Sequence, residues 1–166
     1  MTAAATDAVP EVRVQQADFD AGAELEAIRR RAPGCGALVS FVGCVRDLAE
    51  DGEVTALELE HYPGVTERSV EAVIRDALGR WALGGVTVVH RVGRLDPGEQ
   101  IVLVIAASAH RRAAFEAADF VMDHLKTRAV FWKKEHRRDG ARWVRSRDDD
   151  HAAAARWQTP DDRGPG

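Results

Sequence analysis

QIVLVIAASAHRRAAFEAADFVMDHLKTRAVFWKKEH, residues 100–136, is the stretch on which the fold turns. Gln100 to Ser108 form an almost unbroken apolar run rich in β-branched residues, the pattern of a strand covered on both faces. A helical segment over roughly 110–127 follows, and AVFWKKEH returns to extended chain. A strand buried on both sides needs helices or a second sheet against each face, so the segment predicts a layered domain with both element types.

Outward from that segment the pattern continues. Residues 9–14 alternate weakly and read as an edge strand, where Pro10 is tolerable. DFDAGAELEAIRRRA reads as a helix ended by Pro33-Gly34, and CGALVSFVGCV as a central strand. The polar turn AEDGE and the strictly alternating TALELEHY suggest that this strand forms a hairpin with a longer loop. Pro63-Gly64 opens a helix over about 65–83, with Val70, Val73, Ile74, Ala77, Leu78 and Trp81 on its apolar face. VTVVHRVG reads as a strand, RLDPGE as a turn, and ARWVRS as a last strand beyond the Asp139-Gly140 turn. The order predicts an α+β fold with a mixed sheet. Residues 1–8 read as a disordered N-terminus, 9–147 as a single domain, and 148–166 as a mobile C-terminal tail in which HAAAARW has the makings of a short helix.

Composition narrows the function classes. The 166 residues are 45% hydrophobic and 30% charged, the balance of a soluble globular protein. No apolar run approaches the ~20 residues that span a bilayer and the first residues lack a signal-peptide layout, so a cytoplasmic protein without membrane contact is expected. The net charge of −4 argues against nucleic acid as a partner. Positive charge gathers in 110–147, which suits a small anionic substrate. Cys35 and Cys44 have an odd spacing that points them to opposite faces of one strand, against a disulfide. Without CxxC or paired histidines no metal site is expected.

The cations in this basic region are the candidates for chemistry. At ~100° per residue, Phe115, Ala118, Met122 and Leu125 fall in one stripe about 80° wide, with Arg111 inside it and Lys126 roughly 60° from its centre. The structural alternative is that both stems lie along the core edge with their heads in solvent. Lys133 changes the balance. In a strand over 130–136 it shares a face with Phe131 and Glu135, while Trp132, Lys134 and His136 share the other. Facing Lys126 across the connection, it would form a pair of ammonium groups that disfavour each other's charge, which suits acid–base work. Arg46 follows an apolar strand, and Gly43 before it leaves room for a ligand or another chain. His110-Arg111 stand at a helix start, where backbone N–H groups favour phosphate. Arg111 and Lys126 lie 15 residues apart on one helix, hence ~22 Å, so one small ligand reaches both only if a two-fold dimer supplies one from each chain.

FVGCVRD, LELEHYPGVTE, HRVGRLDPGE, SAHRRAAFEAADFVMDHLKTR and FWKKE occur in this order over about residues 10–145. Together they resemble the MoaE family, the catalytic (large) subunits of molybdopterin synthase. The resemblance implies an α/β hammerhead-type fold with an added antiparallel β subdomain. It implies a homodimer, and a heterotetramer with two small ubiquitin-like, MoaD-like sulfur carriers whose C-terminal Gly-Gly tails enter the active site. It implies a sulfurtransferase that moves sulfur from the tail's thiocarboxylate to cyclic pyranopterin monophosphate (precursor Z), with no cofactor needed for the step. The family's catalytic lysines fall on Lys126 and Lys133, and its substrate-binding positions on Cys44, Val45, Arg46, His110, Arg111, Lys126, Lys133, Lys134 and Glu135. Since sulfur arrives on the partner's tail, Cys44 reads as a packing or backbone-contact residue, not a relay. Family members usually carry proline where this chain has Val130, which would loosen the approach to Lys133. The alternative function is a non-catalytic adaptor that binds the carrier without using both lysines.

Overall fold

The structure, a computed structural model, describes residue 8 and residues 10–46, 48–49, 52–144 and 148–158. Its elements in chain order are β1 (Glu11–Gln15), α1 (Ala21–Arg31), β2 (Ala37–Cys44), β3 (Leu48–Ala49), β4 (Gly52–His61), α2 (Val65–Arg80) and β5 (Leu83–Arg91). Then come β6 (Gly93–Leu95), β7 (Gln100–Ser108), α3 (Arg111–Leu125), β8 (Phe131–Arg137), β9 (Gly140–Val144) and α4 (Asp148–Ala155). The main sheet has the order β1-β5-β7-β2, with β1 parallel to β5 and the other pairs antiparallel. The second sheet, β3-β4-β8-β9 with β6 also on β4, is antiparallel throughout. This is the mixed α+β architecture with an added antiparallel sheet that the sequence led us to expect.

The apolar run at 100–108 takes an inner position because it has two faces to bury. Val102, Val104 and Ala106 pack with Val86 and Val88 under α2 and α3, while Leu103, Ile105 and Ala107 pack with Phe19, Ile28 and Ala32 on the α1 side. Full burial of each valine, leucine or isoleucine among them contributes on the order of 1.5–3 kcal/mol. CGALVSFVGCV was the expected central strand, yet β2 lies at the end of the order. Ser40 and Gly43 interrupt its apolar pattern, and Phe41 is left 42% exposed. The expected β2–β4 hairpin is also absent, since the two strands belong to different sheets and β4 turns back only on the short β3. The alternating positions Leu57 and Leu59 bury against Val45, Val92 and Leu95, a core that sits between the sheets. The expected turn RLDPGE begins later than its first residue, because Gly93, Arg94 and Leu95 pair with β4 as β6.

Helix α3 turns a different face to the core from the one its largest side chains suggest. Ala114, Ala117, Ala118, Phe120, Val121, His124 and Leu125 are buried, whereas Phe115 is 62% exposed. At 100° per residue the buried arc is centred roughly 100° from the expected stripe. The alanines let the helix approach the sheet closely, and the phenylalanine is left on its flank with Arg111. The segment from 148, where HAAAARW suggested a short helix, carries α4, and Arg156 and Trp157 just beyond it bond to α3. Arg156 reaches Asp119 at 2.6 Å, Trp157 donates its indole N–H to Asp123 at 2.7 Å, and its ring meets Trp81 and Phe120 edge-on. Residues 159–166, and residues 1–7 at the other end, lie outside the described residues. No helix among the described residues is long and apolar enough to cross a membrane.

Candidate active site

Topology decides which of the candidate side chains share a location. Chain leaving β7 at Ser108 enters α3 almost at once, so α3 runs back and ends beside the start of β7. Strands β2 and β5 are antiparallel to β7, which places their C-terminal residues at that same end: Cys44 opposite Gln100, and His90 opposite Val102. Lys126 caps α3 there, with its backbone N–H on the Met122 carbonyl at 3.3 Å and its side chain exposed. A cation suits that position, where the carbonyl ends of the helix carry partial negative charge.

The second sheet joins at this end through β8. Its first residue, Phe131, stacks on the His90 ring with centroids 3.9 Å apart and planes 22° from parallel. Two residues on, Lys133 lies opposite Leu59 and is partly buried, on the face of β8 that it shares with Phe131 and Glu135. Glu135 accepts from the Arg137 guanidinium at 2.7 Å, and both side chains are nearly enclosed. Lys134 points the other way, over the Trp143 ring at 4.9 Å. On that outer face His136 donates to Glu58 at 2.8 Å, and this bond above all holds the Glu58 carboxyl below the usual carboxylate range.

The connection between the two lysines is pinned to α2. Thr66, fully buried, donates to the Val130 carbonyl at 2.6 Å and accepts from the Tyr62 N–H at 2.9 Å. The Val130 N–H donates to Ser69 Oγ at 3.1 Å. The loss of a proline at this position was expected to loosen the approach to Lys133. Valine instead supplies an N–H that proline lacks, and α2 uses it.

Strand β2 delivers Cys44, Val45 and Arg46 to the same end. A register shift between Gly43 and Cys44 breaks the regular pairing, and Val45 then bonds the turn at 98–99 on both sides, donating to Glu99 and accepting from Gly98 at 2.9 Å each. Such irregularities re-aim side chains at strand ends. Val45 is buried in the core between the sheets, while Cys44 and Arg46 are exposed. The space at Gly43 is filled within the chain: a Cβ there would stand 2.9 Å from Val102 Cγ1 and 3.3 Å from the Phe41 ring. Both cysteines are free.

His110 and Arg111 stand at the opposite end of α3, ~22 Å from Lys126 by helical rise. They are exposed at the helix start, where His110 is the N-cap and the first turn carries no acidic residue. Gly36 makes room there, since a Cβ would come within 2.6 Å of the Ala109 carbonyl oxygen. Among the described residues, the side chains of Arg46, His110 and Arg111 make no hydrogen bond or ion pair, which leaves three cationic or titratable groups for an anion. No group of three or more His, Cys, Asp or Glu is placed to hold a metal ion among the described residues.

Sequence reasoning missed His90. Its Nδ1 donates to the Arg91 carbonyl at 2.9 Å, and burial pushes its pKa down to about 4, with Lys126 and His61 acting in the same direction. The signal was present in HRVG at a strand end, but nothing in that string reveals that Phe131 of the second sheet stacks on the ring.

Comparison with known proteins identifies the family and the fold. The family model described as MoaE protein matches residues 14–128. The molybdopterin synthase catalytic subunit of Mesorhizobium japonicum is 54% identical over 152 residues, covering 90% of this chain and 94% of that protein. The protein of the same name from Pseudomonas aeruginosa is 54% identical over 147 residues, covering 89% and 98%. Among solved structures, the molybdopterin biosynthesis MoaE protein from Burkholderia ambifaria superposes with a TM-score of 0.79 at 52% identity, covering 90% of this chain and 99% of its own. The molybdopterin synthase from Staphylococcus aureus gives 0.73 at 26% identity, covering 81% and 95%. A complex of subunits 1 and 2 of molybdopterin-converting factor from Helicobacter pylori shares the fold, with 0.67 at 22% identity over 82% and 91%.

Proposed function

This chain belongs to the MoaE family, and from that premise we infer that it is the catalytic subunit of a molybdopterin synthase, a sulfurtransferase of molybdenum cofactor biosynthesis. It takes sulfur from the C-terminal thiocarboxylate of a small ubiquitin-like carrier and places it on precursor Z, and two transfers complete the dithiolene. What supports the site assignment is that Lys126 ends α3 and the 44–46 segment ends β2 at the end of the main sheet where Phe131, two residues before Lys133, stacks on His90.

Each group then has a task that its position suits. Lys126, exposed at the helix end, guides the carrier's thiocarboxylate and shares with Lys133 the transfer of protons during the reaction. Lys133, set deeper between Phe131 and Glu135, stabilises the anionic intermediate formed as sulfur attacks the pterin side chain and hands protons to it. The Glu135–Arg137 pair keeps Lys133's neighbour fixed. Arg46, His110 and Arg111 hold the cyclic phosphate of precursor Z. Because His110 and Arg111 stand ~22 Å from Lys126 along α3, they act on the site of a second chain in a two-fold homodimer. The β2 edge and the α3 flank, with Phe41 42% and Phe115 62% exposed, are the apolar surfaces such a dimer would cover. Two carriers complete a heterotetramer, which works in the cytosol.

The test is reconstitution of the chain with thiocarboxylated carrier and precursor Z, with detection of the dithiolene product. Product formation is expected. An active carrier that binds but yields no product would replace the enzymatic reading with that of an adaptor.

A further inference from the structure

We propose that Arg91 is a positioning residue for Arg46, holding the turn that aims Arg46 at its ligand. Arg91 ends β5 with its side chain only 9% exposed, and its guanidinium is directed mainly at backbone. Nε and Nη2 both donate to the Gln16 carbonyl, at 3.1 and 3.0 Å, and Nη1 donates to the Gln100 carbonyl at 3.0 Å. Nη1 also reaches Glu99 Oε1 at 3.4 Å. A planar guanidinium fork can span these acceptors at once, whereas an ammonium is a single point of donation.

The sheet explains why a clamp is needed there. The register between β5 and β7 runs to His90 opposite Val102. On the other side of β7, Gly43 faces Val102 but Cys44 faces Gln100, so Ile101 is an extra residue, as in a bulge. The regular register therefore breaks at the start of β7, and Arg91 holds the Gln100 carbonyl at that break. The adjoining turn is closed by Glu99, whose Oε2 accepts from the Asp96 N–H at 2.6 Å and whose N–H donates to the Asp96 carbonyl at 3.1 Å. This turn grips Val45 on both sides, since Val45 donates to the Glu99 carbonyl and Gly98 donates to the Val45 carbonyl. With its backbone held and its side chain buried between the sheets, Val45 turns its neighbours Cys44 and Arg46 outward, where both are exposed. The path thus runs from Arg91 through Gln100 and Glu99 to Val45, and from there to Arg46.

This inference rests on the reading of Arg46 as a phosphate-binding group, so one arm of its test needs no ligand. Amide hydrogen exchange in the full-length chain compares the parent with Arg91→Lys and with Glu99→Ala, a milder change at a partly exposed residue. In both variants the Val45 and Gly98 amides should exchange at least about tenfold faster, while Leu103 to Ile105 keep parental protection. Parental exchange at Val45 and Gly98 in a folded variant overturns the proposal, whether or not the chain turns over. The second arm is a double-mutant cycle read as KM for precursor Z in the reconstituted reaction. Arg46→Ala should raise KM by about tenfold to a hundredfold, and Arg91→Lys by about fivefold, with kcat and carrier affinity close to parental. The Arg46→Ala/Arg91→Lys chain should match Arg46→Ala within about twofold, because Arg91 has nothing to aim once Arg46 is gone. Additive effects, or a lower kcat at unchanged KM, would reduce Arg91 to a fold-stabilising residue and overturn the proposal. If Arg91→Lys does not fold, Glu99→Ala takes its place in both arms. If Arg46→Ala keeps the parental KM, the phosphate reading of Arg46 fails, and the exchange arm alone decides whether Arg91 sets the 44–46 segment.

Discussion

Replacing Thr66 by valine would remove one oxygen atom and test whether the link between the two lysines is a fixed part of the site. The hydroxyl is fully buried and makes two bonds, to the Val130 carbonyl at 2.6 Å and from the Tyr62 N–H at 2.9 Å. Valine has nearly the same shape, so both backbone groups lose their partner with little change in packing. An unsatisfied buried polar group costs about 1–3 kcal/mol, and because Val130 and Tyr62 retain some access to water the low end applies, about 2 kcal/mol in total. That is roughly a thirtyfold shift toward the unfolded state. Urea unfolding at fixed protein concentration measures it, with Thr66→Ser as the control that keeps the hydroxyl. In the reconstituted reaction, Thr66→Val should turn over about tenfold more slowly, because the connection that sets Lys133 against Lys126 is no longer pinned. A valine variant with parental stability and turnover would refute the idea that α2 holds this connection.

Other consequences are open to measurement. His90 is held neutral in the fold, with its pKa lowered from 6.5 to about 4, so the unfolded chain binds its proton first as pH falls and stability should drop through that window. Between about pH 7 and about pH 5 the loss from this residue is about 2 kcal/mol, and it should be missing from His90→Phe, whose urea midpoint would vary less with pH. Mixing a Lys126→Ala chain with an Arg111→Ala chain should restore part of the activity that each lacks alone, since a two-fold dimer then contains one intact site. No recovery in a mixture shown to exchange subunits would place both groups in separate roles. Trp157→Ala should cost about 2–4 kcal/mol by emptying the contact with Trp81 and Phe120, and a thermal midpoint unchanged from the parent would mean that α4 adds nothing to α3.

Local periodicity was enough to find most elements, because helix and strand patterns are written in consecutive residues. The buried run at 100–108 announced an inner strand, and the alternation in FWKKEH correctly put Lys133 and Lys134 on opposite faces. What periodicity could not show was pairing. Strand β2 was placed in the centre because its residues favour strands, but its place at the sheet end follows from the greater need of β7 for cover on both faces. The orientation of α3 was misjudged for a similar reason. Alanine scores weakly as a hydrophobic residue yet decides how near a helix can come to a sheet, so Ala114, Ala117 and Ala118 outweighed Phe115. Lys126, Lys133 and Arg46 could be singled out as charges beside apolar segments, whereas His90 stands out only through its stack on Phe131, which is distant in sequence.

The account stands or falls on whether the two lysines do chemistry instead of merely attracting the carrier. Lys126→Ala and Lys133→Ala chains should therefore be compared with the parent for carrier binding and for dithiolene formation in the same preparation. Carrier binding within about tenfold of the parent, with dithiolene formation reduced by about a hundredfold or more in each variant, is the predicted result. Parental rates of product formation in either variant would contradict it.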